Sequence, residues 1–396
     1  MSLTDEQKKI IKSTAPILKE WGKEITSIFY KQMFIAHPEL LNLFNQTNQK
    51  IGTQPLALAN TIYFAAENID HLDVLTPQVQ IIAHKHRAVT VLEEHYPIVG
   101  KYLLIAIKEF LGEKATPEIL DAWRVAYDII AKVFIDVEKE LYDELGPDEC
   151  DKGFVPLTII KKEEIASGPI VALTLERRDG GKMHNYQPGQ YITLRIKKDG
   201  WFHNRHYSLV KPFDGKTYCV AIKDEIDHEP KGLVSNEIID NYHVGDTILT
   251  SFPAGTFTLI DDAKHHLFIA GGIGISVLSS MILELHKRNK SNSATLIQCV
   301  ATREHAAFAN QFRSFLSENQ YKLFFQGEKL NKEDLQKLLT GDSHVYLCGS
   351  VPFMNTIEDY LAECGHPSSQ IHIEVFQPTL SVIRDAVKND AKTKSL

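Results

Sequence analysis

The spacing of apolar residues changes twice along this 396-residue chain, and these changes restrict its fold. Up to about residue 145, apolar residues recur three and four positions apart, which places them on one face of an α-helix. Between about 157 and 250, short β-rich runs are separated by Gly, Pro and Asp. From His265 onward, strand-like and helical runs alternate. The sequence therefore predicts a multidomain protein: an all-α domain, an antiparallel β-barrel and an α/β domain with a doubly wound parallel sheet.

Individual elements follow from local signals. Thr4 and Gln7 have the spacing of a capping box. Another helix is predicted to open near Thr53, with Pro55 tolerated in its first turn. Further helices are predicted at 77–92, 97–111, 117–145, 275–288 and near 305–317, 331–339 and 352–363. Strands are predicted at 157–161, 170–176, 190–196, 206–210, 218–223, 247–250, 265–270, 295–301, 321–326, 344–348 and 371–376. The domain boundaries that follow are 1–146, 153–261 and 262–396, with a polar linker over 146–156 and a polar tail over 379–396.

Composition limits the possible partners. The formal net charge of -8 argues against nucleic acid. No run approaches the ~18 apolar residues that a membrane span needs, and the first residues lack an apolar signal core. The five cysteines are scattered without a Cys-x-x-Cys motif and are expected to be reduced: Cys150, Cys219, Cys299, Cys348 and Cys364. We expect a cytoplasmic monomer with no nucleic-acid partner and no stable membrane insertion.

The segment Ile81–Tyr96 contains a candidate metal ligand, His86. On a helix, His86 shares an apolar face with Ile82, whereas His84 points to roughly the opposite side. That arrangement argues against a two-histidine metal site on this helix. His84 could still face inward, so the spacing favours His86 only slightly. The flanking residues expected to reach solvent are Lys85 and Arg87.

Glu138 is an anomaly on the last helix of the α-domain. It follows Trp123, Tyr127 and Phe134 at helical spacing and therefore lies on or beside a buried face. A buried carboxylate is unfavourable unless it is hydrogen-bonded or paired. A ring N–H of an inward histidine and a tyrosine hydroxyl would be suitable partners. Alternatively, the helix end frays and Glu138 is solvated.

Three short motifs in the later domains could bind cofactors. Gly271–Gly274 lies between a strand and a helix, where free N–H groups favour a phosphate; a packing turn without ligand is the alternative. Arg205 and Tyr207 lie two positions apart on a strand, so their side chains share one side of it. An arginine there could pair with a pyrophosphate, and a tyrosine ring could cover a flavin ring. Gly232–Ser235 is similar to a second phosphate-binding turn that opens a helix.

The order of these motifs resembles the ferredoxin-NADP reductase family. The matching segments are Pro188–Tyr191, Arg205–Ser208, Gly232–Ser235, Gly271–Gly274, Cys348-Gly349 and Phe376. The first ~145 residues resemble a globin. They contain, in this order, KH, Tyr96, LDAW, AY, VFI and Glu138. A globin followed by this reductase resembles a flavohaemoglobin, and the likeness covers nearly the whole chain.

The resemblance implies roles residue by residue. His86 would ligate the haem iron, supported by Tyr96 and Glu138, while Tyr30 and Gln54 would face bound oxygen. The other haem-contacting positions implied are Phe44, Leu58 and Lys85. The flavin-binding positions implied are Tyr191, Arg205, His206, Tyr207, Ser208, Val234, Ser235 and Phe376. The pyridine-nucleotide positions implied are Gly271, Gly272, Gly274, Ser276, Cys348 and Gly349.

The implied function is nitric oxide dioxygenase with haem b, FAD and NAD(P)H. NAD(P)H would reduce FAD, FAD would reduce the haem, and the oxygen-bearing haem would convert nitric oxide to nitrate. The alternatives are reduction of peroxides or lipid hydroperoxides and a non-enzymatic sensor of O2 or nitric oxide. Val277 and Ser350 stand where the family usually has proline, which predicts looser turns and leaves the choice between NADH and NADPH open.

Overall fold

A computed structural model describes residues 2–45, 52–146, 153–166, 170–224, 231–328 and 330–376. Most of the predicted linker, including Cys150, and the tail over 379–396 lie outside the described residues. Contacts divide the chain into two compact units, one with the described residues of 1–153, 196–204 and 376–396, the other with those of 154–195 and 205–375. Within the described ranges, none of the helices combines the length and the apolar composition of a membrane span.

The first unit begins with helices, as the apolar spacing predicts. They are α1 (Asp5–Ala36), α2 (Thr53–Glu67), α3 (Thr76–Val89), α4 (His95–Leu111) and α5 (Pro117–Asp143), with a 3-10 turn at Pro38–Asn42. The predicted capping box is confirmed, because Gln7 N donates to Thr4 Oγ1 at 3.2 Å and Thr4 N donates to Gln7 Oε1 at 3.0 Å. Pro55 lies in the first turn of α2. N–H groups in this turn have no acceptor within the helix, so the absence of an N–H on proline costs no hydrogen bond.

Helices α1 and α2 cross at close range. A Cβ placed on Gly22 would lie only 2.9 Å from the Cβ of Ala59, so this crossing suits glycine. Beside it, the Thr26 hydroxyl donates to the Pro55 carbonyl at 2.7 Å. The core around the crossing is apolar and includes Ile11, Ile25, Phe29, Met33, Leu103 and Trp123. This crossing fixes the start of α2 relative to the middle of α1.

The barrel strands form a six-stranded sheet. They are β1 (Val155–Ala166), β2 (Ile170–Glu176), β3 (Tyr191–Lys198), β4 (Trp201–Ser208), β5 (Thr217–Lys223) and β6 (Thr247–Thr250), in the order β4-β3-β6-β1-β2-β5. The outer strands approach each other, because Leu209, just beyond β4, bridges Val220 of β5. Val210 N also donates to the Cys219 carbonyl at 2.9 Å. The antiparallel barrel is therefore confirmed.

Two strands start at least two residues earlier than predicted. The strand placed at 206–210 is β4, Trp201–Ser208. Asp199 and Gly200 have φ of 52° and 84°, the backbone of a two-residue hairpin turn, so β4 starts directly after β3. Strand β1 begins at Val155, inside the predicted linker.

The second sheet is parallel throughout and confirms the doubly wound prediction. Its strands are β7 (His265–Gly271), β8 (Ala294–Cys299), β9 (Tyr321–Phe324), β10 (Ser343–Cys348) and β11 (Ile371–Glu374), in the order β11-β10-β7-β8-β9. The helices from α6 onward are α6 (Leu233–Asn241), α7 (Ile275–Lys287), α8 (Ala309–Arg313), α9 (Lys332–Leu338) and α10 (Val351–Glu363). Because β7 and β10 are parallel neighbours, their carboxyl ends and the loops that follow lie together.

The helix predicted near 305–317 is reduced to α8. A 3-10 turn at Arg303–His305 and the left-handed backbone of Phe308, φ 62°, delay the helix start to Ala309. The last strand ends at Glu374 rather than 376.

Candidate functional site

A hydrogen-bonded triad joins α3, α4 and α5. Glu138 is only 3% exposed, and its Oε1 lies 2.6 Å from His86 Nδ1 and 2.6 Å from the Tyr96 hydroxyl. Burial, and then the neighbouring Glu138 charge, raise the pKa of Tyr96, so its hydroxyl remains a donor. The sequence-based inference that Glu138 is buried beside a histidine and a tyrosine is confirmed, and the alternative of a frayed helix end is wrong.

The triad determines which ring nitrogen of His86 can bind a metal. Neutral imidazole carries one proton, and the Glu138 carboxylate favours that proton on Nδ1. The lone pair of Nε2 is then available, and no hydrogen bond among the described residues engages it. The His86 side chain is 34% exposed, with Phe134 beside it at 5.9 Å between ring centroids. A neutral imidazole supported by a carboxylate is one of the donors that haem iron takes.

The neighbours of His86 have different environments. Burial lowers the pKa of His84 to about 4, so this histidine is neutral and largely desolvated. Lys85 is intermediate in exposure. Arg87 is only 7% exposed, so the expectation that it reaches solvent is wrong. The reason is tertiary: Tyr142, near the end of α5, donates to Val91 O at 3.0 Å, so α5 covers the end of α3.

A second group of residues lies where α1 and α2 cross. The Tyr30 ring, 5% exposed, is 5.5 Å from Phe44 and 5.6 Å from Phe34 between centroids. Phe44 and Leu58 are partly buried against the same core. Gln54 is in the first turn of α2, directly before Pro55, whose carbonyl is bonded to α1. The structure thus brings Tyr30 and Phe44 into contact and places Gln54 at the adjacent helix start.

Strand β4 carries the predicted flavin residues. Arg205 and Tyr207 are partly buried and alternate with the exposed His206, while Ser208 is buried. Burial lowers the pKa of Arg205, which means that its charge is poorly solvated and suited to an anionic partner. On the neighbouring strand, Thr193 Oγ1 bonds His206 Nδ1 at 2.8 Å. The Tyr191 ring lies 4.8 Å from the ring of His206.

The turn at Gly232–Ser235 opens a helix, as predicted. Gly232 is the N-cap of α6, and Val234 and Ser235 are buried in its first turn. At the other end of α6, Lys162 Nζ donates to the carbonyls of Ile239 and Tyr242, both at 2.6 Å. A cation at this end complements the helix dipole. Sequence analysis missed Lys162, because it lies on β1, far from α6 in the chain.

The two glycine motifs meet at the carboxyl ends of β7 and β10. A Cβ on Gly274 would lie 2.3 Å from the Cys348 carbonyl oxygen, and one on Gly349 would lie 3.1 Å from the Gly271 Cα. The loops therefore touch through their backbones, and Gly272 has a φ of 54°. In open α/β sheets, dinucleotides bind beyond the carboxyl ends of the strands, which is where these two loops lie.

The remaining predicted positions differ in burial. Ser276 and Val277 are buried in the first turn of α7, at 3% and 1% exposure. Ser350 is the N-cap of α10, and its φ of -66° is a value that proline would also adopt. Phe376 is 51% exposed and lies beyond β11. Whether the two missing prolines loosen their turns stays a prediction.

Comparisons with known proteins match both halves of the chain. A sequence model of the family described as Globin matches residues 27–134. The Flavohemoprotein of Halalkalibacterium halodurans is 39% identical over 400 residues, covering 95% of this chain and 97% of that protein. The Flavohemoprotein of Bacillus subtilis is 37% identical over 396 residues, covering 94% of this chain and 97% of that protein.

Solved structures agree with these relatives. The flavohemoglobin of Malassezia yamatoensis, solved with bound FAD and heme, superposes with a TM-score of 0.84 at 26% identity, covering 95% of this chain and all of that one. The flavohem-like FAD/NAD binding domain of a nitric oxide dioxygenase from Vibrio cholerae superposes with a TM-score of 0.50 at 25% identity. That match covers 56% of this chain and 97% of that one.

Proposed function

This chain belongs to the flavohemoprotein family, and from that premise we propose that it is an NAD(P)H-dependent nitric oxide dioxygenase. It is an oxidoreductase in which a globin is joined to a reductase module, with haem b, FAD and NAD(P)H as its cofactors. The observation that carries the proposal is the buried Glu138 carboxylate, which accepts hydrogen bonds from His86 Nδ1 and Tyr96. A globin that only stores oxygen has no need of so strong an electron donor at the iron.

When bound, FAD would supply the chemistry that links hydride transfer from NAD(P)H to single-electron transfer, and the haem would supply the site where nitric oxide and O2 give nitrate. The globin residues tune that chemistry. His86 would hold the iron through Nε2, and Glu138 would make the imidazole more basic by accepting its Nδ1 proton. Tyr30 would present its hydroxyl on the oxygen side, where negative charge develops, beside Gln54 and Phe44.

The reductase residues position the two nucleotides. Arg205 would pair its poorly solvated charge with the flavin pyrophosphate, and Tyr207 on the same side of β4 would cover the flavin ring. Val234 and Ser235 would offer the free N–H groups at the start of α6 to a phosphate. The touching glycine loops at the ends of β7 and β10 would let the pyridine nucleotide approach the backbone.

The proposal is tested by following nitric oxide with an electrode in air-saturated buffer containing the purified holoprotein and excess NADH. We expect continuous consumption with nitrate as product. One NADH should be used for every two nitric oxide molecules, because each nitrate formed from nitric oxide and O2 needs one electron. Arg205→Ala is the control: it should keep haem, lose flavin and stop turning over.

Two outcomes would contradict the proposal. A single burst equal to the haem concentration, with no further consumption, would indicate a sensor. Turnover of hydroperoxides with NADH, without nitric oxide turnover, would favour the peroxidase alternative, which the same Glu138 hydrogen bonds would also serve.

A further inference from the structure

One buried hydrogen bond links the turn before β3 to the helix that follows the nucleotide loop. Gly189 N donates to Ser280 Oγ at 2.9 Å, across 91 positions of sequence. The same hydroxyl donates to the Val277 carbonyl at 3.3 Å. Ser280 is fully buried, so its hydroxyl both accepts and donates a hydrogen bond out of contact with water.

The turn at Gly189 packs too closely for any side chain. Its φ is 102°, and a Cβ there would lie 2.1 Å from the Phe257 carbonyl oxygen and 2.4 Å from Met281 Cε. Phe257 and Met281 belong to one apolar cluster that also contains residues of β2, β5 and β8. Because this core is shared and tightly packed, a shift of α7 would be transmitted to the turn.

Two positions beyond Gly189 lies Tyr191, one of the residues that the family resemblance assigns to flavin binding. Between them, Gln190 Oε1 accepts from Gln187 N at 3.0 Å, and Gln190 Nε2 donates to Gly255 O at 3.0 Å. Tyr191 N then donates to the Ala254 carbonyl at 2.9 Å. Gly189 and Tyr191 therefore lie two positions apart in one hydrogen-bonded turn.

On the other side, Ser280 lies one helical turn beyond Ser276 on α7. Ser276 lies two positions after the last glycine of the loop and is buried in the first turn of the helix. The bond between Gly189 and Ser280 thus ties the nucleotide end of α7 to the flavin end of β3.

We propose that Ser280 is a positioning residue for hydride transfer, setting the spacing between the nicotinamide and the flavin without touching either. This role rests on the proposed function. Hydride transfer is sensitive to such spacing, since a displacement of about 1 Å between reacting groups costs up to about 100-fold in rate.

The neighbouring Ser279 supplies a matched control. It is also a fully buried serine of α7, and its Oγ has no hydrogen-bond partner within the described part of the chain. Ser280→Ala and Ser279→Ala each delete one buried hydroxyl from the same helix, but only the first removes the bond to Gly189.

Two measurements on the full-length holoprotein test the role. Hydrogen exchange followed by mass spectrometry reports the amide of Gly189, which should exchange about 5- to 10-fold faster in Ser280→Ala, as expected for loss of one hydrogen bond. Rapid mixing with saturating NADH under argon should show flavin reduction slowed about 5- to 10-fold, with FAD content unchanged. Ser279→Ala should match the unsubstituted protein in both measurements.

Equal behaviour of the two alanine variants would overturn the role of Ser280. Faster exchange without slower flavin reduction would also overturn it, because the bond would then be structural only. If Ser280→Ala fails to fold, Ser280→Cys keeps a side chain of similar shape but is a weak acceptor, and it should show the same two changes. Absence of flavin reduction in the unsubstituted protein would overturn the proposed function itself.

Discussion

At the scale of single residues, Glu138 shows what helical spacing can and cannot reveal. The spacing placed it on a buried face, and the need to compensate its charge pointed to a histidine and a tyrosine. Its actual partners lie 52 and 42 positions away, on α3 and α4. Their identity came from the family resemblance, because spacing within one helix carries no information about contacts between helices.

Removing the charge of Glu138 should weaken the electron donation of His86. Glu138→Gln keeps the size of the side chain but replaces a charged acceptor with a neutral one. We expect a lower iron–histidine stretching frequency in the resonance Raman spectrum of the reduced protein, and nitric oxide turnover reduced about 10- to 100-fold. Glu140→Gln, at an exposed position of the same helix, should change neither. An unshifted frequency in Glu138→Gln would argue against the proposed role.

The partly buried His84 should make stability depend on pH. Its pKa is lowered to about 4, so between pH 6.5 and 4 the unfolded chain binds a proton that the folded protein does not. Above pH 6.5, the protonation of His84 does not lower the free energy of unfolding. As pH falls from 6.5 to 4, it lowers the free energy of unfolding by at most about 3 kcal/mol. In denaturant titrations, His84→Gln should lose less stability than the unsubstituted protein between pH 7 and pH 4. Parallel pH profiles would contradict this assignment.

At the scale of elements, the sequence predicted most helices and strands but misplaced those that depend on a turn. β4 starts earlier than predicted because Asp199-Gly200 forms a hairpin turn, and an Asp-Gly pair is a hairpin signal that the sequence contains. The start of α8 depends on the left-handed backbone of Phe308. That conformation is usually found at glycine or asparagine, so a phenylalanine gives no sign of it in the sequence. Lys162 and Ser280 act on elements remote in sequence, so local patterns could not assign them.

The contact between the two glycine loops gives a prediction at this scale. In Gly274→Ala, the new methyl group would lie 2.3 Å from the Cys348 carbonyl oxygen and must push the loops apart. We expect the KM for NADH in ferricyanide reduction to rise about 10-fold or more, with FAD and haem retained. Gly341→Ala is the control, because a Cβ there would meet nothing within 4 Å. An unchanged KM in Gly274→Ala would show that the loops do not form the nucleotide site.

At the scale of the whole molecule, the change of apolar period was sufficient to predict the order of fold classes. An all-α region, an antiparallel sheet and a parallel sheet follow one another as expected. The domain boundaries at 146, 153 and 261 stay predictions, since the described residues group into two units rather than three. The reason is physical: barrel and parallel-sheet residues share one apolar cluster, which spacing along the chain cannot show.

The central claim is that electrons from a pyridine nucleotide reach an iron held by His86. The most direct test is the absorption spectrum of the purified holoprotein under argon, before and after adding NADH. We predict that flavin absorbance bleaches and that the haem Soret band then shifts to the position obtained with dithionite. A preparation without a Soret band, or a flavin that bleaches while the haem band stays at its oxidised position, would contradict the account.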